Sequence, residues 1–183
     1  MTRSALTIIL LLFTLPTTAK DNISIDFTAT IKESTCSMKI TGGAGSDTHQ
    51  TLTLGTGGKI GLDKIVNGDT EASANFRIVA SNCTVGLSKI SSKIAGKTPS
   101  TTTMLIEPTA TGSGYTQNIG VGFFRKSATG SDMFEINQDG QIIWTADEIA
   151  NGLDLTAALR ESIPGQGKIG DFKATATFSF SYE

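Results

Sequence analysis

The sequence predicts an all-β protein, most simply a sandwich built from many short strands. Its 183 residues include 20 glycines and 4 prolines, so chain reversals are frequent while strand interiors stay free of proline. Apolar stretches of strand length recur along the chain, separated by Gly, Asn and Asp. Helical periodicity is almost absent. Short strands at such spacing are typical of a β-sandwich.

The first residues have the pattern of a secretory signal peptide. Arg3 supplies a positive charge, and residues 5–15 form an apolar run that is too short to span a bilayer. Residues 17–19 are small, as a signal peptidase requires. We therefore expect residues 1–19 to be a Sec-type signal peptide and Lys20 to begin the mature chain. An N-terminal membrane anchor is the alternative.

Cysteine usage agrees with export. Cys36 and Cys83 are the two cysteines of the chain, and both follow the expected signal peptide. An even count in an exported protein predicts one disulfide bond; a pair of reduced, buried thiols is the alternative. The formal net charge is −2, with acids and bases interspersed, so we expect no nucleic-acid partner.

The predicted strands follow from runs of apolar or alternating residues. An Asp139-Gly140 turn predicts a hairpin that joins two of them. Residues 146–150 form one plausible helical turn, and residues 41–48 are predicted to be a loop. The predicted strands are residues 23–31, 50–54, 75–81, 88–94, 103–106, 118–125, 133–136, 141–144, 153–159 and 172–182.

The two terminal strands alternate with unusual regularity. Each has an apolar residue at every second position, so each presents one apolar face. Chain termini usually carry polar, loosely held residues, so an apolar strand near the mature N-terminus must pair with its own sheet or with another sheet. The apolar positions are Ile23, Ile25, Phe27, Ala29 and Ile31 in the first strand, and Ala174, Ala176, Phe178, Phe180 and Tyr182 in the last.

The order of these features resembles the chaperone–usher pilins of the type 1 fimbrial protein family. After the alternating strand, Ile-Lys-Glu-Ser-Thr leads to Cys36, and Leu-Thr-Leu-Gly follows at residues 52–55. Phe-Arg-Ile then runs towards Asn82-Cys83, and an alternating aromatic strand closes the chain. Residues 117–121 are similar to those of minor tip-fibrillum pilins. The resemblance covers the whole mature chain.

The resemblance implies an incomplete immunoglobulin-like β-sandwich that is completed by donor-strand exchange. Residues 33–183 would form the pilin domain, and residues 20–32 would be an extension whose apolar residues, from Ile23 to Ile31, enter the groove of a neighbouring subunit. Ala29 stands where the family usually places Gly, so its methyl group must fit in the groove.

The same resemblance implies the partners. A periplasmic chaperone would fill the groove first, in contact with Phe178, Phe180 and Tyr182. Polymerisation would follow at an outer-membrane usher, and the product would be an adhesive fimbrium at the cell surface. Two alternatives remain: a receptor-binding tip adhesin, and a self-contained secreted β-sandwich that does not polymerise. Tip adhesins usually carry a lectin domain before the pilin domain, and Cys36 follows the expected cleavage site too closely for one.

The residues give little support to catalysis. His49 is the single histidine and lies in a polar stretch, without a nucleophile pattern around it. Residues 96–98 (Gly-Lys-Thr) resemble the end of a phosphate-binding loop but lack its first glycine. Acids such as Asp132, Asp139 and Asp147 form no calcium-loop pattern. We therefore expect no enzyme activity, cofactor, metal or small-molecule substrate, and we expect Trp144 to pack in the core rather than bind sugar.

Overall fold

The structure is a computed structural model that describes residues 35–128, 130 and 132–183. The expected signal peptide (residues 1–19) and the expected donor-strand residues Ile23, Ile25, Phe27, Ala29 and Ile31 lie outside the described residues. No helix within the described ranges is long and apolar enough to cross a membrane.

Nine strands and three short helical segments make up the described chain. They are β1 (Ser37–Thr41), β2 (Ala44–Ser46), β3 (His49–Thr51), α1 (Leu62–Asn67), a 3-10 turn (Thr70–Ala72), β4 (Ser73–Ser81), β5 (Ile90–Ala95), β6 (Ile119–Arg125), β7 (Ile142–Ile143), α2 (Ala146–Asn151), β8 (Leu153–Glu161) and β9 (Thr177–Tyr182).

The strands form two main sheets and a small ribbon, and all of the named strand pairs are antiparallel. One sheet has the order β1-β4-β8-β6, and the other has the order β7-β5-β9. The ribbon is the hairpin of β2 and β3. The predicted all-β sandwich is therefore confirmed.

The two main sheets pack face to face on one apolar core. Ile78 of β4 and Leu155 of β8 are fully buried on one side, and Ile90 and Ile94 of β5 are buried on the other. Three aromatic rings join the sheets edge to face: the ring of Phe178 in β9 lies 5.7 Å from the rings of both Phe76 and Phe123. Such ring pairs add about 0.5–1.5 kcal/mol each beyond the burial of their area.

The predicted disulfide bond is present. It links Cys36, just before β1, to Cys83, just after β4, with the two Cα atoms 4.1 Å apart. Beside it, the Thr84 backbone N–H donates to the Thr35 carbonyl at 3.1 Å, and the Thr35 N–H donates to the Thr84 hydroxyl at 2.9 Å. The bond therefore fixes the start of β1 to the end of its partner strand β4.

The helix α2 begins with a reciprocal cap. The Thr145 hydroxyl accepts from the Glu148 backbone N–H, and the Glu148 carboxylate accepts from the Thr145 backbone N–H. That carboxylate also receives two hydrogen bonds from the Arg125 guanidinium, the shorter at 2.7 Å. Burial alone raises the pKa of Glu148, but the bonds from Arg125 and Thr145 outweigh burial, so the pKa lies below its ordinary value of 4.5.

Several predicted elements are confirmed, but the predicted strand 103–106 forms only an isolated bridge at Ile106, and a predicted hairpin is wrong. The strands predicted around residues 75–81, 118–125 and 153–159 correspond to β4, β6 and β8, and the helical turn at 146–150 is α2. The predicted hairpin of residues 133–136 with 141–144 does not form. The Phe134 N–H donates to the Phe123 carbonyl instead, while β7 pairs with β5. The two segments therefore serve different sheets.

Other boundaries also differ from the prediction. The predicted strand 50–54 is shifted to β3, which pairs with β2 inside the predicted loop 41–48. The closing strand begins at Thr177 rather than at residue 172, because the preceding segment bonds to a loop: the Thr109 N–H donates to the Lys173 carbonyl at 2.7 Å. The helix α1, which ends at a left-handed Gly68, was not predicted.

We expect the disulfide to contribute much of the domain's stability. Replacing both Cys36 and Cys83 with Ser removes a cross-link that spans 47 positions, so the free energy of unfolding should fall by about 2–4 kcal/mol. Urea denaturation of the oxidised protein and of the double variant measures this difference. An unchanged unfolding midpoint would contradict the prediction.

The Arg125–Glu148 pair should make stability depend on pH in the acid range. Because the pKa of Glu148 is lowered in the folded state, its contribution is complete above about pH 4.5 and is lost as the pH falls through the folded pKa. Glu148→Gln should lower the free energy of unfolding by about 1–3 kcal/mol at neutral pH. The difference from the parent protein should shrink below pH 4.5, as followed by urea titrations at several pH values. Glu135→Gln, at an exposed position, is the matched control and should change little.

Candidate functional site

Two strand edges of the sandwich have no strand partner among the residues that the structure describes. β1 is the end strand of the first sheet, and β9 is the end strand of the second. Within residues 35–128, 130 and 132–183, no strand pairs with β1 on the side away from β4, or with β9 on the side away from β5. Free backbone donors and acceptors along such edges are a template for another strand.

The opposite edges of the same two sheets are covered. Ile106 and Val121 of β6 exchange backbone hydrogen bonds of 2.8 and 2.9 Å, and the Phe134 N–H donates to the Phe123 carbonyl. At the other sheet, Arg125 Nη2 donates to the Ile143 carbonyl of β7 at 2.7 Å. Among the described residues, the outer edges of β6 and β7 therefore have local partners, whereas no strand pairs with the outer edges of β1 and β9.

The apolar side chains beside the open edges are only partly buried. In β9 the three inward-facing aromatic residues are intermediate in exposure and alternate with exposed Thr and Ser, whereas the inward-facing residues of β8 are fully buried. β1 repeats this pattern with Met38 and Ile40. We call the space between these two edges the groove. Its partly buried apolar residues include Met38 and Ile40 of β1 and Phe178, Phe180 and Tyr182 of β9.

Tyr182 connects the two sides at one end of the groove. Burial raises the pKa of its phenol, and the backbone N–H of Cys36, which interacts with the phenol oxygen, opposes that shift. Glu183, the next residue, is bonded to the two residues that precede β5. The Ser88 N–H donates to the Glu183 carbonyl at 2.8 Å, and the Glu183 N–H donates to the Lys89 carbonyl at 3.0 Å. An ion pair of 2.7 Å between Lys89 and Glu183 adds to this attachment.

The structure places some of the predicted site residues and adds others. Phe178, Phe180 and Tyr182 lie together on the groove. Met38 and Ile40 of β1 also lie there and were not predicted to do so. The signal for them was the alternation of apolar residues just after Cys36.

Trp144 and His49, the other candidates for binding or catalysis, have surroundings typical of a core residue and of a surface residue. Trp144 is 3% exposed and donates from Nε1 to the Ser92 hydroxyl at 2.6 Å, so its ring faces the core. His49 is an exposed residue of β3 whose Nδ1 lies 3.1 Å from the Thr48 hydroxyl. The described ranges contain no cluster of three or more His, Cys, Asp or Glu side chains arranged to hold a metal ion.

Comparison with known proteins gives consistent matches. The family model described as "Fimbrial protein" matches residues 23–183. The uncharacterized fimbrial-like protein YadM of Escherichia coli (strain K12) is 39% identical over 172 residues, which cover 92% of this chain and 90% of that protein.

Two solved structures are also similar, at low sequence identity. A subunit from the structure of a chaperone–usher pilus, solved in a study of rod uncoiling, is 14% identical, with a TM-score of 0.52 over 92% of this chain and 100% of that chain. The P pilus rod subunit PapA is 15% identical, with a TM-score of 0.46 over 87% of this chain and 100% of that chain. The similarity to the first of these structures shows a shared fold.

The family model covers most of the chain, including both cysteines, both edges of the groove and the alternating segment that begins at Ile23. With the extensive identity to a fimbrial-like protein, this match settles the family: the chain belongs to the fimbrial proteins.

Proposed function

We propose that this fimbrial protein is a structural subunit of a chaperone–usher pilus and that it polymerises by donor-strand exchange. The groove between β1 and β9 is the acceptor, and residues 20–32 of a neighbouring copy or related subunit are the donor. The observation that carries the proposal is the pair of open edges, which adjoin an apolar face that is only partly buried, in a chain that protects its other two sheet edges. A strand inserted there would bond to both sheets and cover the apolar face.

The donor segment has the pattern that such an acceptor requires. Its apolar residues fall at every second position, so a single face can turn towards Phe178 and Phe180. Full burial of Ile23, Ile25 and Phe27 would contribute about 1.5–3 kcal/mol each. Ladder hydrogen bonds on two sides would add about 0.5–1.5 kcal/mol apiece. The sum of these contributions exceeds the entropy cost of ordering the segment, as a long-lived contact between two subunits requires.

An unfilled groove creates the need for a chaperone. Open strand edges beside exposed apolar surface favour aggregation. We therefore propose that a periplasmic chaperone occupies the groove through contacts with Phe178, Phe180 and Tyr182 until an outer-membrane usher exchanges it for the donor strand. Export would begin with the signal peptide at residues 1–19, and residues 33–183 would form the pilin domain. The product would be a surface fimbrium that supports cell adhesion, and the subunit itself would not be an enzyme.

A donor peptide should stabilise the protein strongly. A synthetic peptide of residues 20–33, added at about 100 times its dissociation constant, should raise the melting temperature by about 5–10 °C, because it binds the folded state and not the unfolded state. A scrambled peptide of the same composition is the control. A protein that is already monomeric and stable, and that ignores the peptide, would indicate the self-contained sandwich instead.

Two substitutions should separate the donor role from the acceptor role. Ile25→Asp places a charge on the apolar donor face and should block polymerisation while leaving chaperone binding intact. Tyr182→Ala removes a groove-edge aromatic residue and should weaken chaperone capture. Co-purification with the chaperone and electron microscopy of cells measure the two effects.

Both substitutions have matched controls. Ser24→Asp puts the same charge on the polar face of the donor segment, and Ser181→Ala truncates an exposed neighbour in β9. Both controls should assemble normally. If Ile25→Asp and Tyr182→Ala also assembled normally, the assignment of the two roles would be wrong.

A further inference from the structure

The backbone N–H and C=O groups of β1 point alternately towards β4 and away from it. The Ile40 N–H donates to the Asp47 carbonyl at 2.7 Å, so it does not point towards β4. In an antiparallel pair, alternate residues direct their backbone groups away from the partner strand. The groups of Met38 therefore also point outward, and the Cys36 N–H, which interacts with the Tyr182 phenol, follows the same period. The outward-pointing groups are those on the groove side of β1.

The partner of the Ile40 N–H belongs to the hairpin of β2 and β3. Ser46 pairs with His49, so Asp47 and Thr48 form its tip. The hairpin leaves β1 through Gly42, which has φ of 114° and comes so close to β4 that a Cβ atom would lie 2.9 Å from the Phe76 Cα atom. The chain therefore turns sharply at the end of β1 and brings the hairpin tip back over the free edge of that strand.

The attachment of this tip is weak. Apart from the bond to the Ile40 N–H, an ion pair of 2.9 Å joins Lys39 Nζ to Asp47 Oδ1, with side-chain exposures of 50% and 67%. Ion pairs so exposed contribute little. Within β2 and β3, every residue except Gln50 is exposed, so no apolar anchor holds the hairpin down.

We propose that the hairpin of residues 44–51 is a displaceable cover on the acceptor groove, which rests on the donor-strand assembly proposed above. An incoming strand that pairs along β1 needs the Ile40 N–H, and the Asp47 carbonyl already occupies it. The cover and the incoming strand therefore compete for one backbone donor. The cover protects this end of the edge from unwanted pairing and slows strand entry, while its weak attachment allows release.

The rate of strand uptake tests the cover. The full chain, exported natively and purified from the periplasm, is mixed with a fluorescent peptide of residues 20–33, and uptake is followed by anisotropy. In a shortened variant, a two-residue Asn-Gly turn replaces residues 45–50 and joins the paired residues Ala44 and Thr51. Uptake should be about tenfold faster in this variant, since it lacks both contacts of the tip. The Ile40 amide should also lose protection from hydrogen exchange.

A point substitution keeps the test independent of the deletion. Asp47→Asn removes the ion pair to Lys39 and should accelerate uptake about two- to fivefold. The matched control is Asp139→Asn, which removes a comparable exposed ion pair to Lys93 at 2.9 Å and should leave the uptake rate unchanged. The melting temperature of the peptide-bound protein should be the same in the parent protein and in Asp47→Asn, because the cover is displaced in the complex.

The outcomes distinguish this inference from the proposed function. If the parent protein takes up the peptide and both hairpin variants do so at the parent rate, the cover is wrong while donor-strand assembly stands. If none of the folded proteins takes up the peptide, both proposals fail. Faster uptake by both variants, with loss of Ile40 amide protection in the shortened one, supports the cover.

Discussion

The sandwich is held together by one apolar core. Among the described residues, the sheet edges on one side of this core are covered, and those on the other side have no strand partner. On the closed side, Val121 and the Phe123 carbonyl of β6 bond to neighbouring segments, and the Ile143 carbonyl of β7 accepts from Arg125. On the open side, β1 and β9 face each other across a groove whose side chains are only partly buried. Two further contacts hold the edge strands in place: the disulfide fixes β1 to β4, and the edge-to-face contacts of Phe178 with Phe76 and Phe123 fix β9 to the opposite sheet.

Strong periodicity predicted the central strands well. β4, β6 and β8 carry continuous or alternating apolar residues, and the burial of these residues within one sheet follows directly from that pattern. The pattern is less informative where strand partners are distant in sequence. The apolar residues at 133–136 and 141–144 were predicted to pair with each other because an Asp-Gly turn lies between them. Tertiary contacts with β6 and β5 determined their positions instead.

The candidate site was predictable in part. The alternating aromatic residues that end at Tyr182 identified one wall of the groove, because an alternating strand must bury one face. The opposite wall is β1, whose alternating Met38 and Ile40 follow Cys36 in a short run that was not predicted to be a strand. Asp47 acts through its backbone carbonyl, which no side-chain pattern can reveal. The role of Arg125 could not be predicted either, because its side chain donates to the backbone carbonyl of Ile143, which is 18 positions away in the sequence.

The covered edges of β6 and β7 have a consequence for the architecture of any polymer. A subunit with one donor segment and one acceptor has a valence of two, so growth by strand exchange produces a linear filament without branch points. A second open edge elsewhere would allow a third connection and a cross-linked network. The local partners of Val121 and of the Ile143 carbonyl disfavour that third connection in the described part of the chain, which is consistent with growth along a single axis.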